Sequence, residues 1–381
     1  MDESISDLKQ DPLISKKVLR ALSKWTDEHE ETKEDEESYH QYDTYIWRKW
    51  VFMAACIVVM VVTAGLATTI GPMDITFIET YETMWNHITG NITNDAFDYA
   101  ICTLRMPRVV MGVVAGAGLA ICGAAMQSTL MNPLADPYTT GVSSGASFGA
   151  TLAMLAGFSI FGGRYDVIGN AFVFSLIPTA LIVGLARVKK SSPTTMIMAG
   201  IAVMYIFNAF TTVMMLMADP NDLEAVYQWQ VGSLAKASWD DIVVSLSITA
   251  VGAVIIMFLS KKLNVLSTGD DMANSLGVNA AQLRTIMMVL VALITAGIVS
   301  FTGLIGFVGL VAPHVVRLFI GADNRYLVPA AALFGGALLV VSDLVGRVII
   351  QPAVLQVGVI TAFLGGPMFL WLLLRKNSNV W

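Results

Sequence analysis

Long apolar stretches, rather than any single motif, set the strongest constraint on how this chain folds. Stretches long enough to cross about 30 Å of hydrocarbon recur along most of its 381 residues. Charged residues make up only 14% of the sequence, whereas a soluble domain carries roughly 25%. The stretches lie near residues 48–70, 106–130, 138–160, 167–187, 195–217, 241–260, 283–302, 303–321, 327–350 and 354–374. The pattern predicts an all-α polytopic membrane protein with about ten transmembrane helices in a lipid bilayer and no nucleic-acid partner.

The first 46 residues differ sharply from the rest of the chain. They include the acidic runs 27–31 and 34–37 and have too few apolar residues to build a core. We therefore predict a cytoplasmic tail over 1–46, unstructured except for a short helix near 13–25. No cleavable apolar stretch follows its start, so we expect no signal peptide. A transmembrane domain is predicted over 47–376 and a short cytoplasmic C-terminus over 377–381.

The distribution of positive charge predicts the orientation of the chain in the membrane. With the N-terminus inside and ten spans, the pairs 189–190 and 261–262 both fall on the cytoplasmic side, which retains Lys and Arg. Of the 23 Lys and Arg residues, those placed outside are Arg105, Arg108, Arg164, Lys236 and Arg347. The sequence thus predicts a protein of the cell (inner or cytoplasmic) membrane with both termini in the cytoplasm.

Catalytic and metal-binding patterns are not recognisable in the sequence. Cys56, Cys102 and Cys122 lack Cys-x-x-Cys spacing, so we interpret them as small packing residues rather than disulfide or metal ligands. His314 is an isolated histidine and is interpreted as a packed residue. The chain has no Gly-x-x-x-x-Gly-Lys-[Ser/Thr] loop to hold phosphates and no catalytic carboxylate pair. It is therefore predicted not to be an enzyme.

Polar motifs at the ends of the apolar stretches carry a resemblance to a known family. They are Arg-Met-Pro-Arg at 105–108, Asn-Pro-Leu-Ala-Asp-Pro at 132–137, Gly-Val-Ser-Ser-Gly-Ala at 141–146, Gly-Phe-Val-Gly-Leu-Val-Ala-Pro-His-Val-Val-Arg at 306–317 and Gly-Val-Ile-Thr-Ala-Phe-Leu-Gly-Gly-Pro at 358–367. In this order the set resembles the FecCD-type permeases of ABC importers, over about 46–376. Gln356 departs from the pattern, because the family usually has proline there, and the acidic tail is longer than the usual N-terminus.

The resemblance implies a type II ABC importer permease bundle. It implies a homodimer with a translocation path at its two-fold axis, two cytoplasmic ABC ATPase subunits and an extracytoplasmic substrate-binding protein. The partner ATPase would use the ATP, and this chain would bind no cofactor. The implied cargo is an iron(III) siderophore, haem or cobalamin, and we favour the ferric chelate, although selectivity in such importers resides mainly in the binding protein.

Three arginines are predicted to lie at the outer surface. By resemblance, Arg105, Arg108 and Arg347 match arginines that receive acidic residues of the binding protein, and a guanidinium suits reversible carboxylate capture. The alternative is local pairing, since Asp343 precedes Arg347 by four residues on the same predicted helix.

Two cytoplasmic loops and one span supply the remaining candidate residues. The loop 261–282 resembles the coupling helix that contacts the ATPase; an ordinary connection is the alternative. The coupling candidates are Asp270, Asp271, Asn274, Leu276 and Gly277. The segment 191–195 matches the cytoplasmic gate, with Ser192, Pro193, Thr194 and Thr195 as candidates, but its hydroxyls equally suit a helix cap. Met204 and Asn208 in the fifth span would line the path or simply pack against neighbours.

A different transport class is the main competing hypothesis. An ion-gradient-coupled secondary transporter needs ionisable residues near the bilayer midplane. Asp343 and Arg347 are the best candidates for that role, and both lie towards the outer end of their predicted span. A membrane-embedded enzyme or receptor is disfavoured because no convergent cluster of His, Asp and Glu is recognisable. Asn91 begins an Asn-Ile-Thr sequon in an outer loop, which is either glycosylated or an unmodified turn.

Overall fold

The computed structural model describes residues 33–71, 73–188, 192–350 and 353–374, and within these ranges the regular structure is entirely helical. The chain divides into two units, residues 1–51 and residues 52–381. The larger unit holds the apolar core and the candidate site residues. The helices, in chain order, are α1 (Lys33–Thr69), α2 (Phe77–Thr89), α3 (Asp95–Thr129), α4 (Val142–Ala156), α5 (Asp166–Val188), α6 (Pro193–Leu216), α7 (Pro220–Val231), α8 (Trp239–Leu266), α9 (Asp270–Ser275), α10 (Ala280–Thr302), α11 (Val308–Ile320), α12 (Asn324–Val348) and α13 (Val357–Leu374).

The described helices confirm the prediction of about ten membrane spans. Seven of them, α1, α3, α5, α6, α8, α10 and α12, are long and apolar enough to cross a membrane, and α4, α11 and α13 are shorter apolar helices. We call the end of these spans that the Lys and Arg distribution predicts to face outward the outer end, and the opposite end the inner end.

The structure describes only the last part of the predicted tail, from residue 33. Residues from Lys33 onward are helical and continue without a break into the first span, so α1 is 37 residues long. Glutamate, which occurs three times between residues 34 and 37, is a good helix former, and the apolar span supplies a nucleus from which the helix extends. The expected helix near 13–25 and the acidic run 27–31 lie outside the described residues.

Two short helices, α2 and α7, occupy connections that the hydropathy pattern leaves unassigned. Thr76 and Glu79 form a capping box at the start of α2, and Gly90 ends it in a left-handed conformation with φ 74°. Asp219 caps α7, in which Pro220 takes the first helical position. Both helices lie at the outer end.

Helix α3 is the central span of the larger unit. In its most apolar window 83% of the residues are buried, against 22% for α6. It packs against α8, α10, α11 and α12, most extensively against α12. Lipid tails are as apolar as leucine, so the association of α3 with its neighbours depends on close packing rather than on the hydrophobic effect.

Glycines on α3 allow backbones to touch. A Cβ on Gly116 would collide with the carbonyl oxygen of Gly335 in α12, and a Cβ on Gly123 would collide with that of Gly309 in α11. Any larger residue at either position must therefore push a neighbouring helix away.

An irregular segment, 303–307, separates α10 from α11. The seventh and eighth predicted spans, which adjoin at residues 302 and 303, are therefore two distinct helices. Tyr138, from the connection between α3 and α4, satisfies part of the backbone of the segment 303–307. The Tyr138 hydroxyl donates to the Ile305 carbonyl oxygen at 3.0 Å and accepts from the Ile305 N–H at 3.1 Å. Non-helical backbone at membrane depth is tolerated only where protein or water satisfies it.

We predict that Gly123→Val destabilises the protein strongly, because valine would have to overlap the backbone of α11. Overpacking of a close-packed core typically costs about 1–3 kcal/mol and occasionally more. The matched control is Gly184→Val in α5, where a Cβ would have no atom within 4 Å. Thermal unfolding of both variants in detergent measures the difference, and equal melting temperatures would contradict the proposed packing.

Candidate functional site

An arginine cluster at the outer end joins α3 to α12. Asp343 in α12 accepts from Arg108 of α3, at 3.0 Å from Nε and 2.8 Å from Nη2. Its second oxygen lies 2.9 Å from Nη2 of Arg347, one helical turn further along α12. The side chains of Asp343, Arg347 and Arg108 are 3%, 5% and 14% exposed. One buried carboxylate therefore pairs with two arginines between the two most extensively packed helices, and the three side chains together keep a positive charge.

The same cluster holds the end of α1. Arg347 donates to the carbonyl oxygens of Ala67 at 2.7 Å and Ile70 at 3.2 Å. Arg105 donates to those of Thr68 and Met73, at 3.1 and 2.8 Å. The last carbonyls of a helix have no intrahelical partner and carry partial negative charge, so two guanidinium groups are well placed there.

The structure brings the three predicted arginines together and assigns each an internal partner. Local pairing, the alternative left open for Arg347, is confirmed, and it includes Arg108 as well. Arg105 and Arg347 are buried. Docking of a binding protein by these residues stays a prediction, and Arg108 is the one best exposed to serve it.

A cavity of about 400 Å³ opens beside Arg108 at the outer end. Its wall includes exposed Lys236, together with Gln228 and Gln356. Lys236 was placed outside by the charge count, but nothing in the sequence connected it with the arginine motif. Gln356, the departure from the family pattern, thus lies in the wall of the cavity that Arg108 faces.

The predicted coupling loop contains a short helix, α9, that is tied to the central span. Asp270 forms a two-point ion pair with Arg284 of α10, with contacts of 2.7 and 3.2 Å. Arg284 is fully buried and also donates from Nε to the carbonyl oxygen of Thr129, the last residue of α3, at 3.3 Å. Sequence reasoning missed Arg284, although an arginine in the first turn of a span is unusual enough to have drawn attention.

The other coupling candidates differ in exposure and contacts. Met272 lies in α9 and is 54% exposed. Leu276, the residue that follows α9, is 62% exposed. Asp271 is exposed, and Asn274 accepts from the backbone N–H of Ala280 at 3.2 Å. Gly277 has φ +81°, the left-handed conformation in which glycine is free of strain. The helix thus presents an apolar surface outside the spans.

The predicted gate residues begin α6. Ser192 accepts from the backbone N–H of Thr195 at 3.2 Å, and their hydroxyl oxygens lie 2.8 Å apart. Pro193 occupies the first helical turn and Thr194 is exposed. The helix-cap interpretation is confirmed, and the gate stays a prediction because a cap and a constriction are compatible. Ser191 lies outside the described residues.

The predicted path residues lie on α6, the least buried of the long apolar helices. Asn208 is exposed on this helix and Met204 is half-buried. A polar amide facing lipid is costly, so Asn208 needs water or another protein surface beside it.

We predict that Asp343→Asn destabilises the protein by roughly 3–5 kcal/mol, because it leaves two buried guanidinium groups without a counter-charge. Asp240→Asn is the matched control. Asp240 is 76% exposed and pairs with a half-exposed Arg164 at 3.4 Å, an arrangement worth at most about 1 kcal/mol. The free energies of unfolding of the two variants, measured in the same detergent, should differ clearly. Similar stability would show that the Asp343 cluster is not a structural ion pair.

Comparisons with known proteins agree with this architecture. The model of the FecCD transport family matches residues 51–375. The hemin transport system permease HmuU of Yersinia pestis is 36% identical over 85% of this chain and 95% of its own. The cobalamin import system permease BtuC of Halobacterium salinarum is 38% identical over 71% of this chain and 72% of its own.

A solved structure shows the same fold. It is described as the inward-facing conformation of a metal-chelate type ABC transporter, and it superposes with a TM-score of 0.74 at 28% identity over 85% of this chain and 98% of that one. The spans, the ordered motifs and the family match lead to one conclusion: this chain is a multi-pass membrane protein that belongs to the FecCD transport family of ABC importer permeases.

Proposed function

We propose that this chain is the permease subunit of an ATP-driven importer that moves an iron(III) chelate, or a related metal-organic cofactor such as haem or cobalamin, into the cytoplasm. The observation that carries the proposal is the tie between α9 and the central span through Arg284, in a chain of this family. A permease needs such a connection because the energy source lies in another subunit. ATP hydrolysis is accordingly assigned to a separate ATPase, and this chain is proposed to bind no cofactor for transport.

The exposed surface of α9 supports an ATPase partner. Met272 in α9 and Leu276, the residue that follows it, are large apolar side chains outside the spans, where a monomer gains nothing by exposing them. Asp270 on the same helix holds Arg284, which holds the end of α3. A partner that displaces α9 therefore pulls on the central span through two short polar contacts.

The exposed surface of α6 supports a homodimer with a shared path. Tyr205 and Ile206 are 68% and 52% exposed, and Asn208 presents an amide on the same helix. Facing a second copy across a two-fold axis, this helix would line a path that mixes flexible and polar side chains. Met204 would belong to that lining, and the inner end of α6, with Ser192 to Thr195, would form its cytoplasmic gate.

Docking of an extracytoplasmic binding protein fits the cavity beside Arg108. Arg108 and Lys236 place two cationic side chains at one opening on the outer end. An acidic side chain of a binding protein would find a charge-assisted partner there. If the binding protein docks at this end, the end faces outward, and with ten spans both termini lie in the cytoplasm.

An ion-gradient-coupled transporter remains the alternative, but the candidate residues do not suit it. Such coupling needs an ionisable group that gains and loses its ion near the midplane. Asp343 is instead held by two arginines at the outer end and is 3% exposed.

The experiment that tests the proposal uses the tagged full chain co-expressed with the ATPase and binding protein encoded beside it. ATP hydrolysis in liposomes is measured with ferric chelates, haem and corrinoids. We expect turnover to rise with binding protein and one cargo. If no ATPase associates with the chain and an ion gradient drives solute uptake instead, the importer proposal is overturned.

We predict that Arg284→Met uncouples hydrolysis from transport. The variant cuts the polar link between α9 and α3, so uptake per ATP should fall by about 5- to 150-fold, the range expected for coupling free energies of about 1–3 kcal/mol. Asp270 is 38% exposed and can be solvated without its partner.

Lys262→Met is the matched control, because it removes an exposed positive charge near the same end of α8. Asp270→Asn is a milder variant that leaves a neutral acceptor beside Arg284. Unchanged uptake per ATP in both Arg284→Met and Asp270→Asn would show that the contact does not transmit coupling.

A further inference from the structure

Three metal-ligating side chains converge at the outer end, in the last turn of α2 and the first eight residues of α3. His87 lies in the last turn of α2, and Asp98 and Cys102 lie four residues apart on one face of α3. Their ligand atoms all lie within 4.8 Å of one another. His87 Nδ1 is 2.7 Å from the nearer oxygen of Asp98. The triad therefore combines one nitrogen, one oxygen and one sulfur ligand.

The three side chains of the triad differ in how far they are buried. Cys102 is 4% exposed, the side chain of Asp98 is 14% exposed and that of His87 is 49% exposed. Buried Ile75 and Ile101 pack beside Cys102. Cys102 is thus the most buried of the three ligands and His87 the most exposed, so an ion would reach the site past His87.

The backbone that carries the ligands is held firmly. Residues Tyr99–Arg105 form a π-helical segment, a rare conformation that is frequent at functional sites. Trp239 of α8 donates its indole N–H to the carbonyl oxygen of Cys102 at 2.9 Å. Asn94 caps the start of α3, and Gly90 fixes the end of α2. Both ligand-bearing segments are therefore preorganised.

Helix α3 is long enough to carry the triad beyond the hydrocarbon. The 24 residues Met106–Thr129 span about 36 Å at 1.5 Å per residue, which already exceeds the roughly 30 Å of the apolar layer. The preceding residues of α3 project from the outer end, so ions in the surrounding water can reach His87.

We propose that His87, Asp98 and Cys102 bind one divalent transition-metal ion of the Zn²⁺ class. Magnesium and calcium prefer sites made of oxygen alone, whereas imidazole and thiolate select zinc and similar ions. Three protein ligands leave a fourth position for water. Ligand atoms around tetrahedral zinc lie roughly 3.3–3.8 Å apart at its usual bond lengths, so the His87 ring moves away from Asp98 when the ion enters.

The bound ion fastens α2 to α3 one helical turn beyond Arg105, the residue that holds the end of α1. Binding requires the Cys102 thiolate and neutral His87, so it releases protons and weakens as pH falls. Without an ion, Asp98 simply accepts a hydrogen bond from His87, and the experiment must separate these two states.

The test uses the metal-stripped full-length chain in lipid nanodiscs, titrated with Co²⁺ as a spectroscopic probe and with Zn²⁺ as competitor. We expect one Co²⁺ per chain, a thiolate-to-cobalt charge-transfer band, and displacement by Zn²⁺. Cys102→Ser should abolish the band, and His87→Ala and Asp98→Asn should weaken binding by more than about tenfold.

Cys56→Ser and Cys122→Ser are the matched controls, because these cysteines are also buried but lie within spans. Both should keep the band. Zn²⁺ should raise the melting temperature of the parent chain and of both controls but not of Cys102→Ser. A cooperative melting transition of Cys102→Ser shows that this variant is folded. Absence of stoichiometric Co²⁺ binding to the parent, or a band that survives in Cys102→Ser, would overturn the proposal.

Discussion

Close contact between backbones around α3 is the constraint on which the rest of this structure depends. In a bilayer the hydrophobic effect does not draw one apolar helix to another, so stability comes from packing and polar contacts between helices. Gly116 and Gly123 let α12 and α11 approach α3 until their carbonyl oxygens would touch any added side chain. The buried position of α3 in turn fixes where its two ends lie, and arginine contacts hold both ends.

Arginines hold the central span at each end. At the outer end, Arg108 joins α3 to Asp343 of α12. At the inner end, Arg284 joins the last carbonyl of α3 to Asp270 of α9. Buried ion pairs contribute little net stability, but each strongly penalises an arrangement that separates the partners. They therefore specify which helix ends stay together, and this is what a permease needs if an ATPase at one end is to influence the other.

Most membrane spans could be predicted from the sequence because seven of the described helices are long, apolar and nearly free of charge. Helices α2 and α7 could not be predicted from hydropathy, although the Thr76 and Glu79 pair was a legible capping signal for α2. The arginine motif pointed to the outer cluster, but Arg108 and Asp343 are 235 residues apart in sequence, so only the fold could join them. The metal triad was missed for the same reason: without α2, His87 has no place beside the Asp98 and Cys102 pair, and Cys102 reads as a packing residue.

Burial also divides the helices by their freedom to move. A span that is 83% buried and held at both ends cannot change its neighbours without breaking many contacts at once, whereas α6 and α8, at 22% and 28%, have few within one chain. Alternating access requires some helices to shift while others keep the subunit intact. In the proposed homodimer, the exposed helices would be the ones free to rearrange against the second subunit, while α3 would keep its neighbours. The path proposed for Asn208 and the gate proposed for Ser192 both lie on α6, one of these less buried helices.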